Sequence, residues 1–255
     1  MEKQTQPKPS IHMYLVFHSL VFENLLSELT EEDKQKITLY GVRARHQTKL
    51  NVVYEYELPI YNPCLQENVY NEGSAFYHIY KNKYLYNQHD YIGFGQYDMK
   101  LFKNTFTNIN QIICDNPTDN CIFVNMFFPD IKESGFRGGH TLIVSNMNTL
   151  EAGLSSYNRF FNKQYTPYDV MQNKLIACNI FVIKTSLFEK LMSWLIAYFI
   201  DDIKKTIHPI IDNAGVIPEA LIGMFLSLEV LEGSKYHNFE IEHVWPHYKL
   251  IANNH

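Results

Sequence analysis

Ile11-His-Met-Tyr-Leu-Val-Phe17 is apolar at every position except His12. Such a run has no polar face to turn to water. It must be covered on both sides, as a strand is inside a parallel sheet with helices on its two faces. Phe22 to Leu29 then reads as a helix, Thr30-Glu-Glu-Asp33 as a polar link, and Ile37 to Val42 as a second strand. Strand, helix and strand in that order join parallel neighbours through a right-handed crossover. The expected class is α/β: one domain with a mixed, mostly parallel sheet flanked by helices.

The rest of the chain continues the alternation. Leu50 to Asn71 reads as irregular, broken by Pro59 and Pro63. Glu72 to Tyr86 has helical spacing, and Tyr91 to Asp98 reads as a central strand. Further strands are expected at Cys121–Phe128, Thr141–Val144 and Leu175–Ile183. Ser186, with Glu189 three residues on, has the form of a capping box for a helix running to about Lys205. Pro218 suits the first turn of a helix from Glu219 to Leu231. Residues 1–10 are polar and proline-bearing and read as a disordered leader, with a single domain over 11–255.

Composition removes several functions. The formal charge of -5 and the absence of a basic stripe argue against a nucleic-acid partner. Cys64, Cys114, Cys121 and Cys178 have neither zinc-finger nor disulfide-scaffold spacing and are expected as reduced, mostly buried thiols. No apolar stretch approaches the ~20 residues of a membrane span, so a soluble, cytoplasmic protein is expected. Walker, Gly-x-Ser-x-Gly and dinucleotide-binding signatures are absent, which disfavours kinase, hydrolase and dehydrogenase chemistry.

Tyr91-Ile-Gly-Phe-Gly-Gln-Tyr-Asp98 is the most informative segment. Alternation puts Ile92, Phe94, Gln96 and Asp98 on one face, so two apolar anchors give way to two polar groups at the strand's carboxyl end. Open α/β sheets bind ligands at that edge. Oxygen donors at i and i+2 point the same way and can hold Mn²⁺ or Mg²⁺ against a diphosphate. The plain alternative is a buried strand that ends in a turn. Gly93 and Gly95, on the other face, would admit a neighbouring backbone.

Several blocks, in order, resemble a family of capsular- and exopolysaccharide-associated glycosyltransferases. Ile11 to His18 is similar to the family's opening strand, which ends in a histidine. Glu72-Gly-Ser-Ala-Phe-Tyr-His-Ile-Tyr-Lys-Asn82 resembles its Glu-x-(Thr/Ser)-Ala-x-Tyr-Trp-x-x-Lys-Asn helix. Asp90 to Asp98 is similar to its Asp-Tyr-Ile-Gly-x-x-His-Tyr-Arg strand. Asn179 to Lys184 with Phe188, and Pro218-Glu-Ala-Leu221, resemble its later segments. Gln96-Tyr97-Asp98 departs from the family's His-Tyr-Arg, and Ala220 stands where it has arginine. The resemblance implies a GT-A-like domain that takes a nucleotide-diphospho-sugar donor and a glycan or glycoprotein acceptor. The arginine's replacement by Asp98 implies a cation in place of a cationic side chain.

On that reading Gln96 and Asp98 hold the metal and diphosphate, and His18, Lys81 and Asn82 contact the nucleotide-sugar. Arg137 and His140, around Gly138-Gly139, could approach phosphate. Asn179 could touch the acceptor. Glu219 is the candidate general base, or else a helix-start glutamate favoured by the macrodipole. His243 and His247 could complete a metal site, or belong to a tail that packs Trp245; Pro246 prevents a simple helical pair. The alternative to an enzyme is a non-catalytic glycan- or nucleotide-binding module derived from a transferase. A third reading is an interaction protein that uses the aromatic 50–70 loop.

Overall fold

The computed structural model describes residues 8–18, 21–67, 72–125, 149–172, 176, 179–198 and 216–244. Strands β1 (Ile11–Phe17), β2 (Ile37–Gly41), β3 (Asn51–Tyr54), β4 (Tyr91–Gln96), β6 (Cys121–Val124), β7 (Phe181–Lys184) and β8 (Lys235–Asn238) form one seven-stranded sheet. Its order is β3-β2-β1-β4-β7-β6-β8. β1 pairs in parallel with both β2 and β4, and β7 alone runs against its neighbours. β5 (Met99–Leu101) and β9 (Ile241–His243) make a separate antiparallel ribbon.

Strand alternation divides the core in two. Tyr14, Val16, Ile92, Phe94, Phe181 and Ile183 face one way, beneath α3 (Glu72–Lys81), α5 (Thr149–Phe161), α7 (Thr185–Leu195) and α8 (Val216–Leu231). Met13, Leu15, Phe17, Leu39 and Val182 face the other, where Phe106 and Ile109 of α4 (Thr105–Asp115) cover them. Short helices α1 (Glu31–Gln35), α2 (Cys64–Glu67) and α6 (Pro167–Met171) complete the set among the described residues, with 3-10 turns between. This is the mixed α/β sheet expected, and Ile92 and Phe94 are buried as the alternation requires.

Local structure departs from the sequence reading in several places. Phe22 to Leu29 is not an α-helix but a 3-10 turn at Glu23–Leu26, which buries Leu25 and Leu26 and is held by three-residue bonds such as Leu25 N–H to the Phe22 carbonyl. The helix begins later, where Thr30 accepts the N–H of Asp33 as its cap. β3 lies inside the segment expected to be irregular. Helix α3 stops at Lys81, five residues before the expected end at Tyr86, and a 3-10 turn follows at Lys83–Leu85. The expected Ser186 box does not form: the helix starts at Thr185, and Glu189 instead accepts from Tyr86 Oη. Cys64 and Cys114 are exposed, not buried; Cys121 is buried. Ser10 is not part of a loose leader, because its N–H and hydroxyl both donate to Asp90 Oδ2. The strand expected at 141–144 lies outside the described residues.

Gly93 and Gly95 make room for side chains rather than for backbone. A Cβ on Gly93 would lie 2.9 Å from Val182 Cγ2 and 3.2 Å from Met13 Cγ. On Gly95 it would meet side-chain ends, 3.0 Å from Leu15 Cδ2 and 3.2 Å from Met13 Cε. Valine's branch is stiff and methionine's tip is not. Gly93→Ala should therefore cost about 1–3 kcal/mol and Gly95→Ala less, as read from urea midpoints at constant m-value.

Candidate functional site

β1 leads through β2 to β3 on one side, whereas β4 lies on the other side of β1. Between the carboxyl ends of β1 and β4 the strand order reverses, and a crevice at such a point is where open α/β sheets take ligands. β1 ends at Phe17 and exposes His18, whose ring meets Tyr97 edge-on at 5.4 Å. β4 ends at Gln96, opposite Val16. Tyr97 donates its N–H to Val16 carbonyl at 3.1 Å and stacks on Phe22, and Asp98 follows in the turn. The strand thus ends two residues sooner than expected. Asp98 owes its position to this turn, not to strand alternation with Gln96.

Asp98 is only 3% exposed, and its carbonyl accepts the N–H of Val244 at 3.1 Å. That bond continues the β5–β9 pairing, in which Met99 faces His243. The chain's late segment is therefore fastened beside the turn that holds Asp98. The His243 backbone lies at this edge, while His247 lies outside the described residues, as do Arg137 and His140.

Helix α3 precedes β4 and runs antiparallel to it, so its first residue, Glu72, returns to the same edge. Burial pushes the Glu72 carboxyl above its ordinary value, and the nearby charge of Asp98 pushes the same way. A bond from its own backbone N–H and the charge of His18 oppose that shift. Glu72, His18 and Asp98 thus share one electrostatic environment. The sequence reading assigned Glu72 no role; its place at the head of a matching block was the available signal.

A fully buried group fixes this helix. Glu55 Oε2 accepts from Ser74 Oγ at 2.8 Å and lies 3.3 Å from His78 Nδ1. The Asn62 N–H donates to His78 Nε2 at 2.9 Å, which leaves the ring proton on Nδ1, toward Glu55. The segment after β3 is thereby tied to the first turns of α3.

The structure separates Lys81 and Asn82 from this cluster. They sit at the other end of α3, about 14 Å from Glu72 at 1.5 Å per residue. Asn82 is buried, accepts from Ile60 N–H and donates to the carbonyls of Ile60 and His78. Lys81 lies over the rings of Tyr77 and Tyr80. Both are held by the helix end and its neighbouring loop.

Asn179 does reach the edge. Because β7 is reversed, its amino end lies beside the carboxyl end of β4, and extending the Phe94–Phe181 register by two residues sets Asn179 level with Gln96. Asn179 is 3% exposed and left-handed at φ 52°, and its Oδ1 has no hydrogen-bond partner among the described residues. Glu219 stands in the first turn of α8, half-buried. That helix runs into β8, which is parallel to β6, so its start is likewise directed to the ligand edge.

Among the described residues no three His, Cys, Asp or Glu side chains form a metal-binding cluster. Carboxylate and amide oxygens such as those of Asp98 and Gln96 are the donor types that Mg²⁺ and Mn²⁺ take, although Asp98 is almost wholly buried in this structure. No helix among the described residues is long and apolar enough to cross a membrane.

No protein-family model matches the sequence, and no curated protein matches it. Solved structures do. WbbM, a bifunctional glycosyltransferase in its apo structure, is similar over 92% of this chain with a TM-score of 0.64 and 15% identity. The two share a fold. This chain covers 45% of that one, less than half its length. The mannosyltransferase Ktr4p from S. cerevisiae is a weaker likeness, with a TM-score of 0.40 and 11% identity over 94% of this chain and 72% of the other.

The strained, buried Asn179 provides a test. Glycine tolerates φ 52° without a Cβ penalty and removes a polar atom that has no partner. Asn179→Gly should keep stability within about 1 kcal/mol of the parent or raise it, while weakening ligand binding at this edge. Thermal melts with and without an acceptor glycan read both effects; a loss of stability with unchanged acceptor binding would make the residue purely structural.

Proposed function

We propose that this chain is a glycosyltransferase of the capsular- and exopolysaccharide-associated kind, which moves a hexose or deoxyhexose from a nucleotide diphosphate to a glycan or glycoprotein hydroxyl in the cytoplasm. The observation that carries the reading is that His18, Glu72, Gln96 and Asp98 lie together at the carboxyl edge of β1 and β4, with Asn179 beyond β4 at the amino end of β7. The fold shared with WbbM supports it.

In this reading the crevice receives the nucleotide, with the His18–Tyr97 pair at its wall and the diphosphate at Gln96 and Asp98. A Mn²⁺ or Mg²⁺ ion bound there would neutralise charge on the departing diphosphate. Asp98 is the carboxylate that would hold it, with Gln96 as a neutral second donor and Glu72 adding negative field behind them. His243 and His247 are candidates for a further ligand: the β5–β9 ribbon sets the His243 backbone beside the Asp98 turn, and His247 lies outside the described residues. Asn179 would hydrogen-bond the acceptor sugar. Glu219 would take the proton of the attacking hydroxyl if the reaction inverts configuration, whereas a retaining enzyme needs no such base.

The second reading, a non-catalytic module, draws on the neutral Gln96 and on the lack of a metal-binding cluster among the described residues. Turnover or slow donor hydrolysis separates the two.

Two measurements test the enzyme. Calorimetric titration of nucleotide diphosphate should show binding that depends on Mn²⁺ in the parent and is independent of it in Asp98→Asn, with little metal binding to the free protein. Identical affinities with Mn²⁺ and with chelator for both proteins would end the metal assignment. Glu219→Gln should retain donor binding and lower kcat by about 10²–10⁴-fold, the usual contribution of a general base. Matching losses of stability and activity would identify Glu219 as a helix-start residue.

A further inference from the structure

A cavity of about 610 Å³ opens at the sheet edge opposite Asp98, beneath the start of β1 and between α1 and α4. The length of β1 sets the cavity's Lys8–Ile11 end about 20 Å from the crevice at roughly 3.3 Å per residue, while Lys103 and Asn104 at its other wall stand nearer to Asp98 along the chain. Its chemistry is uneven. Lys36 is committed, with Nζ 2.7 Å from Asp33 Oδ1 and 3.4 Å from Glu32 Oε1. Lys8 and Lys103 also line it and make no ion pair among the described residues. Together these five groups carry one net positive charge, on a chain whose total is -5.

The α4 wall offers hydrogen bonds. Asn104 makes no capping bond, Thr107 stands one turn on, and Asn110 has an Oδ1 that is buried without a hydrogen-bond partner among the described residues. A buried acceptor of that kind calls for a donor such as a ligand hydroxyl. On the β1 side His12 stacks on His89 with centroids 4.7 Å apart and planes 13° apart. Burial holds His12 down to about 4, so it is neutral near pH 7 and adds a ring wall without charge. The lining is mixed, with Pro9 and Ile11 supplying apolar surface beside these polar groups. Two unpaired ammonium groups, an amide and hydroxyl wall, and a flat ring face match a compact polyol that carries an acid.

The geometry points to a second ligand site here, for an anionic sugar: a saccharide unit that bears one carboxylate or phosphate. It is separate from the crevice and does not depend on the transfer reaction. Lys8 and Lys103 bind the acid, the α4 amides bind the hydroxyls, and the His12–His89 pair lies along the sugar's flat side.

Cys114, an exposed thiol, lines the same cavity, while the equally exposed Cys64 lies elsewhere. The test is the iodoacetamide alkylation rate at each cysteine, followed by mass spectrometry on the full chain. A glucuronate-bearing disaccharide should slow reaction at Cys114 and leave Cys64 unchanged, in the parent and in Asp98→Asn alike. The double substitution Lys8→Ala and Lys103→Ala should weaken that protection about tenfold or more, as loss of charge-assisted bonds does. Both lysines are exposed, so the fold should survive; a thermal melt checks this. Lys103→Glu alone, with the same direction of change, is the fallback variant. Equal protection by neutral cellobiose, protection lost in Asp98→Asn, or no protection of Cys114 at millimolar disaccharide would each overturn the proposal.

Discussion

The parallel pairing of β1 with β4 is the contact on which the rest depends. It joins residues 80 positions apart, from Ile11 with Tyr91 to Val16 with Gln96, and needs a close fit where Met13 crosses Gly93. It also creates the reversal of strand order, and with it a crevice flanked by two strand ends. Each further element takes its place from that seam. α3 returns to it from β4, β7 runs against it, and the β5–β9 ribbon closes over its far side.

Much of this fold was legible in the sequence because the inner strands are buried on both faces. β1, β2, β4 and β6 are largely apolar runs. Edge strands carry no such mark: β3 begins with Asn51, and β8 is Lys-Tyr-His-Asn, both half-exposed. Backbone pairing, which sequence does not display, makes them strands. Phe22 to Leu29 misled for the opposite reason, since leucines at helical spacing can be buried by one tight turn packed on the sheet.

The candidate site's edge residues stand out in the sequence where polar residues follow directly on an apolar run. His18, Gln96 and Asp98 are found in this way. Glu72 was not, because a glutamate at a helix start already has an ordinary electrostatic reason to be there. Its nearness to Asp98 comes from α3 folding back across the sheet. Lys81 and Asn82 show the converse. A block that matches as a unit in sequence is a rod in space, and a rod presents its two ends to different neighbours. Asn179 lay within a stretch read as one long strand, whereas its left-handed backbone sits just ahead of β7.

The bond from Val244 to Asp98 has a consequence for assembly. It closes a loop of about 150 residues, so the ribbon is among the longest-range pairings in the chain and carries a correspondingly large entropic cost of closure. During synthesis the sheet's first strands can pair while the partner of β5 is still to be made. The nascent chain would thus pass through a stage with β1, β2 and β4 in place and the turn at Asp98 still without its cover. Competence to hold a ligand would arrive as the last event of folding.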